Sequence, residues 1–267
     1  MGARRRLDAE LVRRGLAGSR TEAQAAVRDG LVVVAGHPAH KPSTLVGLDE
    51  AVALQGPTRR FVSRGGEKLD AALTGFGIDV GGRDCLDAGA STGGFTDCLL
   101  QRGAAGVAAV DVGYGQLAWS LRTDPKVTVI ERTNVRGLTP GDLPFAPAIV
   151  VADLSFISLR LVLAALVRLA DPRALFVLLV KPQFEAGPAD VGTGGVVRDP
   201  AVWRRVLEGA GRTCAEHGMA PQGVMASPVL GRAGNVEFFL AAEAGGEGKP
   251  LDIERAVADG LRFRGDR

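Results

Sequence analysis

The 267-residue chain has few of the residues that build disulfides or metal sites, with three cysteines and three histidines. Cys85, Cys98 and Cys214 are scattered and form no C-x-x-C pair, so the sequence indicates neither a disulfide framework nor a zinc site. We expect all three cysteines to be small buried hydrophobic residues, and we expect no bound metal.

Long apolar runs are also missing from the chain. No uninterrupted stretch approaches the roughly 20 residues that a membrane-spanning helix needs. The basic start "MGARRRLDAELVRRG" lacks the apolar run of a signal peptide. These absences argue against a membrane protein, and the expected location is the cytoplasm.

The chain as a whole has no large excess of either charge, with 32 basic and 30 acidic residues. Residues 1–60, however, carry ten Lys or Arg against six Asp or Glu, whereas residues 61–267 carry 22 against 24. Such an asymmetry indicates a polyanionic partner for the basic part, although a solvated basic surface gives the same count.

The first 58 residues are predicted to form a small separate domain. Their pattern predicts a short helix, a turn at "AGSR", a second helix over residues 21–29 and the strand "LVVVAG". A boundary is expected near "QGPTRRFVSRGGEK". The predicted organisation is therefore a small domain at 1–58, an interdomain linker at 59–62 and a large domain at 63–267.

Beyond the linker, apolar strand candidates alternate with helical segments. The strands are predicted at 84–87, 106–111, 127–130, 148–153 and 174–181, and the helices near 93–102, 115–122 and 157–170. This repetition predicts an α/β fold with a doubly wound, Rossmann-like sheet. The later segments "VMASPVL" and "NVEFFLAA", separated by "GRAG", follow a helix near 200–217 and predict an antiparallel hairpin at the sheet edge.

The stretch "CLDAGASTGGFTDCLL" places a glycine-rich turn between the first of these strands and its helix. It is not a phosphate-binding Walker loop, because no Gly-Lys-Ser/Thr follows, and it is not the G-x-G-x-x-G of dinucleotide sites. The arrangement D-x-G-x-S-x-G-G instead resembles the first motif of S-adenosylmethionine-dependent methyltransferases. Asp111 ends the next strand, where a carboxylate can accept both hydroxyls of a cofactor ribose. Glycine turns also follow strands in α/β proteins that bind no cofactor.

Two charged residues follow neighbouring strands of the predicted sheet. Asp153 follows the strand in "VVADLSF" and Lys181 follows the strand in "LLVKPQF", so both should project at the cofactor edge. Either residue alone is also explained as the first charged residue after a buried strand, without a functional role. The three histidines lie in the N-terminal segment or near a helix end, which disfavours a histidine base in the main cleft.

Seven motifs together resemble one family: "SRGGEKL", "LDAGASTGGFTDCLL", "AVDVGYGQLAWSLR", "ERTNVRGL", "VVADLSFISL", "LVKPQFE" and "GNVEFF". They resemble the TlyA family of ribosomal RNA 2'-O-methyltransferases, also called hemolysins, from about residue 4 to residue 260. This family belongs with the FtsJ-like methyltransferases of class I fold. Their Lys-Asp-Lys-Glu tetrad corresponds here to Lys68, Asp153, Lys181 and Glu237. The N-terminal segment resembles the RNA-binding domain first seen in ribosomal small-subunit protein four.

The resemblance implies that a ribose 2'-hydroxyl attacks the methyl group of S-adenosylmethionine and loses its proton. Lys181 is the candidate base. Burial and a nearby Lys68 would favour its neutral form, whereas Asp153 and Glu237 would orient it but favour the charged form. Positioning of the methyl donor can therefore contribute more than proton removal.

The resemblance also implies cofactor contacts. The glycine-rich loop should hold the methionine end, Asp111 the ribose and Asn134 the adenine, while Phe156 either lines the pocket or belongs to the core. The full cofactor-binding set is Asp87, Gly89, Ala90, Ser91, Gly93, Gly94, Phe95, Asp111, Asn134, Asp153 and Phe156.

Ribosomal RNA is the implied partner, and basic residues of the N-terminal segment and linker are its expected phosphate contacts. Aromatic residues make up only 5% of the chain, so shape readout is favoured over a base-stacking platform. The expected RNA-binding residues are Arg4, Arg5, Arg6, Arg20, Lys41, Arg59, Arg60 and Arg64. The linker "RRFV" either couples RNA contact to the catalytic pocket or forms a packed hinge, and it has Phe61 where the family carries Trp.

The resemblance implies methylation of cytidines in both ribosomal subunits, with sensitivity to capreomycin and viomycin as its consequence. Two alternatives stay open. One is a ribosome-assembly factor that binds RNA without catalysis, which the complete tetrad disfavours. The other is a membrane-active hemolysin, which the lack of a spanning segment or a long basic amphipathic helix disfavours.

Overall fold

The computed structural model of the protein describes residues 4–28, 30–54, 60–231 and 233–265. The N-terminal part, here called the N-terminal module (residues 4–28 and 30–54), contains short helices and strands. In chain order these are β1 (Arg4–Arg6), α1 (Leu7–Arg13), α2 (Arg20–Arg28), β2 (Val32–Val34), β3 (His37–Pro38), β4 (Leu45–Gly47) and β5 (Val52–Leu54). Strand β2 pairs with β3 and β5, and β1 pairs with β4, all antiparallel.

The two helices of the module enclose a small apolar core. Leu7 and Leu11 on α1 meet Ala23 and Val27 on α2, and all four are fully buried. This spacing of four residues puts the apolar side chains of each helix on one face. The predicted helices and the strand in "LVVVAG" are thus present, although the strand is shorter than the apolar run.

A seven-stranded sheet forms the larger part of the molecule. Its strands are β6 (Asp84–Ala88), β7 (Gly106–Val110), β8 (Val127–Ile130), β9 (Ile149–Ala152), β10 (Leu175–Val180), β11 (Met219–Ala226) and β12 (Phe238–Ala244), in the spatial order β11-β12-β10-β9-β6-β7-β8. Strands β6 to β10 are mutually parallel, and β12 runs antiparallel to β10 and β11. The carboxyl ends of the parallel strands therefore meet at one edge, where ligands bind in such sheets.

Helices cover both faces of the sheet. They are α3 (Arg64–Phe76), α4 (Gly94–Gln101), α5 (Trp119–Arg122), α6 (Leu163–Leu169), α7 (Pro182–Glu185), α8 (Pro200–Glu216) and α9 (Ile253–Gly265). In β10, Phe176 and Leu178 belong to one apolar cluster, whereas Val177 and Leu179 belong to the cluster on the other face. A central strand buried on both faces explains why its sequence is continuously apolar. The predicted α/β doubly wound fold is confirmed.

Three local predictions differ from the structure. The helix expected near 115–122 is the single turn Trp119–Arg122, because residues 111–118 form the loop beside Asp111. The edge hairpin does form, but β11 begins at Met219 and ends at Ala226, so the connection to β12 is much longer than "GRAG". The expected helix over 157–170 divides into a 3₁₀ turn at Leu159–Leu161 and α6.

All three cysteines are free and buried, as predicted. Among the described residues, no helix is both long and apolar enough to cross a bilayer.

Candidate active site

The glycine-rich loop after β6 is shaped by close backbone approach to the neighbouring strands. The backbone N–H groups of Gly89 and Ala90 donate to the carbonyl oxygen of Val110, at 2.8 and 3.1 Å. Gly89 has φ +89°, and a Cβ atom there would lie 2.5 Å from the carbonyl oxygen of Asp153. A larger residue would therefore be strained and would clash with the strand that carries the predicted catalytic aspartate.

Gly93 and Gly94 hold the other end of the loop. Gly93 has φ +97° and precedes α4. A Cβ atom on Gly94 would lie 2.9 Å from the backbone nitrogen of Gly66 in α3. The lack of a side chain at Gly94 lets α3, which carries Lys68, approach the loop closely.

Asp111 connects the glycine-rich loop with the loop that follows β7. Its Oδ2 accepts the N–H of Ser91 at 2.8 Å, and its Oδ1 accepts the N–H of Gly113 at 2.6 Å. An ionised carboxylate has about four lone-pair positions, so two acceptor positions remain for a ligand. The cleft beside it is lined by Ala90, Ser91, Ala109, Asp111, Gly113, Gln116, Leu117, Val129 and Glu131.

Asp87 lies beneath the same loop and is completely buried. Its Oδ2 accepts the hydroxyl of Thr96 at 2.6 Å, whereas Oδ1 has no hydrogen-bond partner. Burial, reinforced by the charges of Asp153 and Asp111 and opposed by the Thr96 hydrogen bond, raises the pKa of Asp87 to about 7. An unpaired buried oxygen below a loop is well suited to a cationic ligand group.

The remaining predicted cofactor residues occupy different environments. Phe95 is buried against Phe239, with ring centroids 6.1 Å apart, so it belongs to the core. Asn134 caps a 3₁₀ turn by accepting the N–H of Arg136 at 3.0 Å. Phe156 is 91% exposed, has φ +63° and lies 5.2 Å from the Phe184 ring. Phe156 is therefore neither core nor part of the Asp111 cleft lining.

Lys181 and Asp153 form the first ion pair of the site. Lys181 Nζ lies 2.5 Å from Asp153 Oδ1 and donates to Ser155 Oγ at 3.0 Å. The parallel register pairs Leu178 of β10 with Ala152 of β9, which brings the ends of both strands together. Lys181 is only 8% exposed, so this ammonium group is held by protein partners rather than by water.

Lys68 and Glu237 form the second ion pair. Lys68 Nζ, carried by α3, donates to Glu237 Oε2 at 2.6 Å, and both residues are buried. The antiparallel pairing of Val180 with Phe238 brings Glu237 beside the end of β10 and hence beside Lys181. The four predicted tetrad residues therefore meet at one edge of the sheet as two lysine–carboxylate pairs.

Three further side chains of this edge were missed by the sequence analysis. Ser155 contacts Lys181, and Gln183 Nε2 donates to Glu237 Oε1 at 3.3 Å. The ring of Phe184 lies 5.8 Å from Lys181 Nζ. Their positions two or three residues beyond Asp153 and Lys181 were the available signal, since residues just after parallel strands line the same edge.

The predicted RNA-binding residues are mostly exposed, but several already have acidic partners. Arg4 pairs with Glu50, and Arg60 pairs with Asp70. Arg5 and Lys41 are exposed, and Arg64 is half-buried as the first residue of α3. Arg6 and Arg20 both contact the buried Asp8. Arg59 lies outside the described residues.

The linker residues that the structure describes pack on α4. The N–H of Val62 donates to Asp97 at 2.7 Å, and Gln101 donates to the carbonyl oxygen of Arg60 at 2.8 Å. Phe61 is 3% exposed. Because α4 follows the glycine-rich loop, the linker contacts the element that shapes the cofactor edge.

Two family models match the chain. The model of the FtsJ-like methyltransferase matches residues 61–244, and the model of the S4 domain matches residues 5–52. Together they match the large sheet with its glycine-rich loop and most of the N-terminal module.

Similar proteins agree with these models. The "16S/23S rRNA (cytidine-2'-O)-methyltransferase TlyA" of Mycobacterium tuberculosis is 56% identical over 241 residues, covering 90% of this chain and 90% of that protein. "Hemolysin A" of Brachyspira hyodysenteriae is 38% identical, covering 88% of this chain and 98% of that protein. A solved structure of a hemolysin-named protein from Streptococcus thermophilus is 37% identical, with a TM-score of 0.78 and coverage of 100% and 98%.

The resemblance seen in the sequence motifs is thus confirmed by independent comparison. The matches extend over both the N-terminal module and the sheet that brings the four tetrad residues together. The chain belongs to the TlyA family of FtsJ-like methyltransferases.

Proposed function

We propose that the protein transfers a methyl group from S-adenosylmethionine to the ribose 2'-oxygen of cytidines in ribosomal RNA. The observation that carries this proposal is two lysine–carboxylate contacts beside the glycine-rich loop, one between Lys181 and the partly exposed Asp153 and one between the buried Lys68 and Glu237. Buried charges are costly and persist at functional sites when they serve chemistry. The name of the Mycobacterium tuberculosis relative supports the choice of cytidine and of rRNA.

The residues of the Asp111 cleft fit S-adenosylmethionine. Asp111 would accept the ribose hydroxyls, and the loop around Gly89 and Ser91 would hold the methionine moiety. The unpaired oxygen of Asp87 offers a buried hydrogen-bond acceptor beneath that loop. When bound, the cofactor supplies an electrophilic methyl group.

Lys181 is the residue proposed to act at the reacting hydroxyl. Its ammonium group, fixed by Asp153 and Ser155, donates to the hydroxyl oxygen and orients it. To accept the hydroxyl proton, Lys181 must first give up one of its own, and Asp153 is the nearest acceptor. Orientation requires no such prior transfer, and the hydroxyl proton then passes to the Asp153 carboxylate or to water as the oxygen becomes methylated. Positioning is therefore the contribution that the geometry supports most directly.

Lys68 and Glu237 are proposed to complete the charge balance of the site. With both pairs ionised, two cations face two anions, so the tetrad itself carries no net charge before RNA arrives. A neutral site limits repulsion of the phosphate backbone while keeping a cation at the reacting oxygen. The basic N-terminal module is proposed to dock the ribosomal subunits, both of which are expected substrates.

Single-turnover methylation of purified ribosomal subunits tests this proposal. Lys181→Ala should lose most of the product formed by the wild type, while cofactor binding measured by calorimetry stays near normal. Lys126→Ala, which removes an exposed lysine far from the strand ends that form the site, is the matched control and should methylate normally.

The two alternatives give different results in the same experiment. An assembly factor would bind both the cofactor and the subunits and release no 2'-O-methylated nucleotide on mass mapping. A near-normal rate for Lys181→Ala would contradict the proposed role of the tetrad. A membrane-active protein would release dye from lipid vesicles in parallel assays, an activity that we do not expect.

A further inference from the structure

Asp8, at the start of α1, is a fully buried carboxylate whose partners are cations of the module surface. Arg6 contacts it twice, through Nε to Oδ1 at 3.1 Å and through NH2 to Oδ2 at 2.9 Å. Arg20, the first residue of α2, contacts the same Oδ2 at 3.3 Å. Gln24 adds a third donor to Oδ2 at 2.9 Å. These contacts, led by the Arg6 hydrogen bonds, hold the pKa of Asp8 well below its usual range.

The two guanidinium groups are fixed at one end and accessible at the other. Side-chain exposure is 47% for Arg6 and 58% for Arg20, although Asp8 itself has none. A guanidinium carries five N–H donors in a rigid fork, so several donors of each arginine still face solvent. Because both groups share Oδ2, they lie side by side.

Lys41 approaches the same end of the module. The backbone N–H of Asp8 donates to the carbonyl oxygen of Pro42 at 3.0 Å, and that of Leu7 donates to Thr44 at 2.7 Å. The segment that follows Lys41 is therefore bound to the first turn of α1, next to Asp8. Two cations from separate parts of the sequence therefore contact one buried carboxylate, and the backbone beside a third cation, Lys41, is bound next to it.

We propose that Asp8 is a positioning residue that holds Arg6 and Arg20 together as one preformed site for RNA phosphates. This inference rests on the proposed function, because it assumes that the N-terminal module docks RNA. Arginine side chains normally lose rotamer freedom when they bind a phosphate. Here Asp8 has already restricted both, so less entropy is lost on binding.

A second buried carboxylate in α1 provides a matched comparison. Glu10 is also fully buried and contacts two arginines, Arg13 at 2.5 Å and Arg14 at 2.7 Å. Arg14, however, is directed inward, where it donates to the carbonyl oxygens of Glu50 and Leu48. Glu10 thus fixes the β4–β5 turn through Arg14 and one exposed guanidinium group, that of Arg13, whereas Asp8 fixes two exposed guanidinium groups side by side.

The direction in which Asp8→Asn changes RNA affinity distinguishes a positioning role of Asp8 from a purely electrostatic one. Asp8→Asn removes a negative charge beside the arginines, so long-range electrostatics alone would tighten RNA binding. Positioning predicts the opposite, because Arg6 and Arg20 lose their fixed orientation. We expect binding about five- to tenfold weaker at moderate salt, since charge-assisted phosphate contacts are weakened. The slope of log affinity against log salt should fall by about 1 in magnitude, corresponding to one or two lost phosphate contacts.

The experiment measures binding of the full-length protein to purified, unmethylated ribosomal subunits at several salt concentrations. Glu10→Gln is the control for Asp8→Asn and should keep the wild-type slope. Thermal unfolding of each variant reports the folded fraction. A loss of folded protein lowers the amount that binds but leaves the salt slope unchanged, so the slope distinguishes positioning from a merely structural role.

If Asp8→Asn does not fold, two variants that conserve charge still test the proposal. Arg6→Lys keeps the cation but cannot make the two-point contact with Asp8, and it should weaken binding several-fold. Arg13→Lys makes the same exchange at the arginine that contacts Glu10 twice. It should bind like the wild type.

The outcomes distinguish this inference from the proposed function. If Arg6→Ala with Arg20→Ala weakens binding but Asp8→Asn tightens it, the positioning role is wrong and RNA docking by the module stands. If the double arginine variant leaves affinity and slope unchanged, the docking role of these arginines is wrong as well. Weaker binding and a lower slope for both Asp8→Asn and Arg6→Lys, with both controls unchanged, would support the inference.

Discussion

Breaking the buried pair between Lys68 and Glu237 should destabilise the protein and abolish methyl transfer. Lys68→Met removes the cation that lies 2.6 Å from Glu237 and leaves the carboxylate facing the amide of Gln183. Removal of one partner from a buried ion pair costs about 3–5 kcal/mol, because the other charge is left uncompensated. That is a large part of the roughly 5–15 kcal/mol that stabilises a typical domain.

Replacing both partners should recover stability without recovering activity. Lys68→Met combined with Glu237→Gln leaves no buried charge, and neutral replacement of a buried pair is often without net cost. Urea unfolding without cofactor should therefore place the double variant near the wild type. Single-turnover methylation of folded protein should remain low in both the single and the double variant.

An exposed pair gives the control for this prediction. Arg204 and Glu254 are joined at 2.5 Å but are largely solvated, so Arg204→Met should change neither stability nor activity appreciably. A loss below about 1 kcal/mol for Lys68→Met would mean that water screens the pair. Methyl transfer at the wild-type rate by the double variant would remove the pair from the chemistry.

Two further predictions concern the cofactor edge. Asp111→Ala should weaken cofactor binding by about 1.5–3 kcal/mol, as expected for lost hydrogen bonds to a charged acceptor. RNA affinity should stay unchanged. Normal cofactor affinity in calorimetry would show that Asp111 does not belong to the site. Asp87 has its folded pKa raised to about 7, so as pH rises the wild type loses stability between the unfolded pKa, about 4, and pH 7. Asp87→Asn lacks this titration, and its stability relative to the wild type should increase with pH across that window by up to about 1.4 kcal/mol per pH unit and level off above pH 7. Urea unfolding without cofactor measures the difference in unfolding free energy between the two proteins. A difference that stays constant from pH 5 to 8 would contradict the raised pKa of Asp87.

Apolar runs were the most reliable source of the fold prediction. The strands at Ile149–Ala152 and Leu175–Val180 lie within a residue of their predicted positions, because a central parallel strand buried on both faces is apolar throughout. The segment 115–122 was assigned to a helix wrongly. Gly115 has φ +67° and its N–H donates to Glu131, so the chain forms a turn there and the helix begins only at Trp119.

The sequence predicted which residues form the candidate site, but not which of them contact each other. Asp153 and Lys181 follow neighbouring strands, so their proximity follows from the sheet. The contact between Lys68 and Glu237 spans 169 positions of sequence and joins a helix to a strand end, and no local pattern encodes it. Lys68 was expected near Lys181 as a second cation; in the structure its own direct partner is Glu237.

The same limit explains the arginines of the N-terminal module. Composition identifies them as basic and exposed, which predicts a general attraction for polyanions and nothing about geometry. Asp8 shows what a composition count leaves out. In the count this acidic residue cancels one positive charge, whereas in the structure it fixes two cations in place. Buried carboxylates therefore act in two ways in this protein. At the sheet edge Glu237 pairs with Lys68 at the proposed reaction site, and in the module Asp8 orients the groups proposed to hold the substrate. In both places an isolated buried charge would be destabilising, so the carboxylate and its cations must be retained or replaced together, and paired variants with their controls are the appropriate tests.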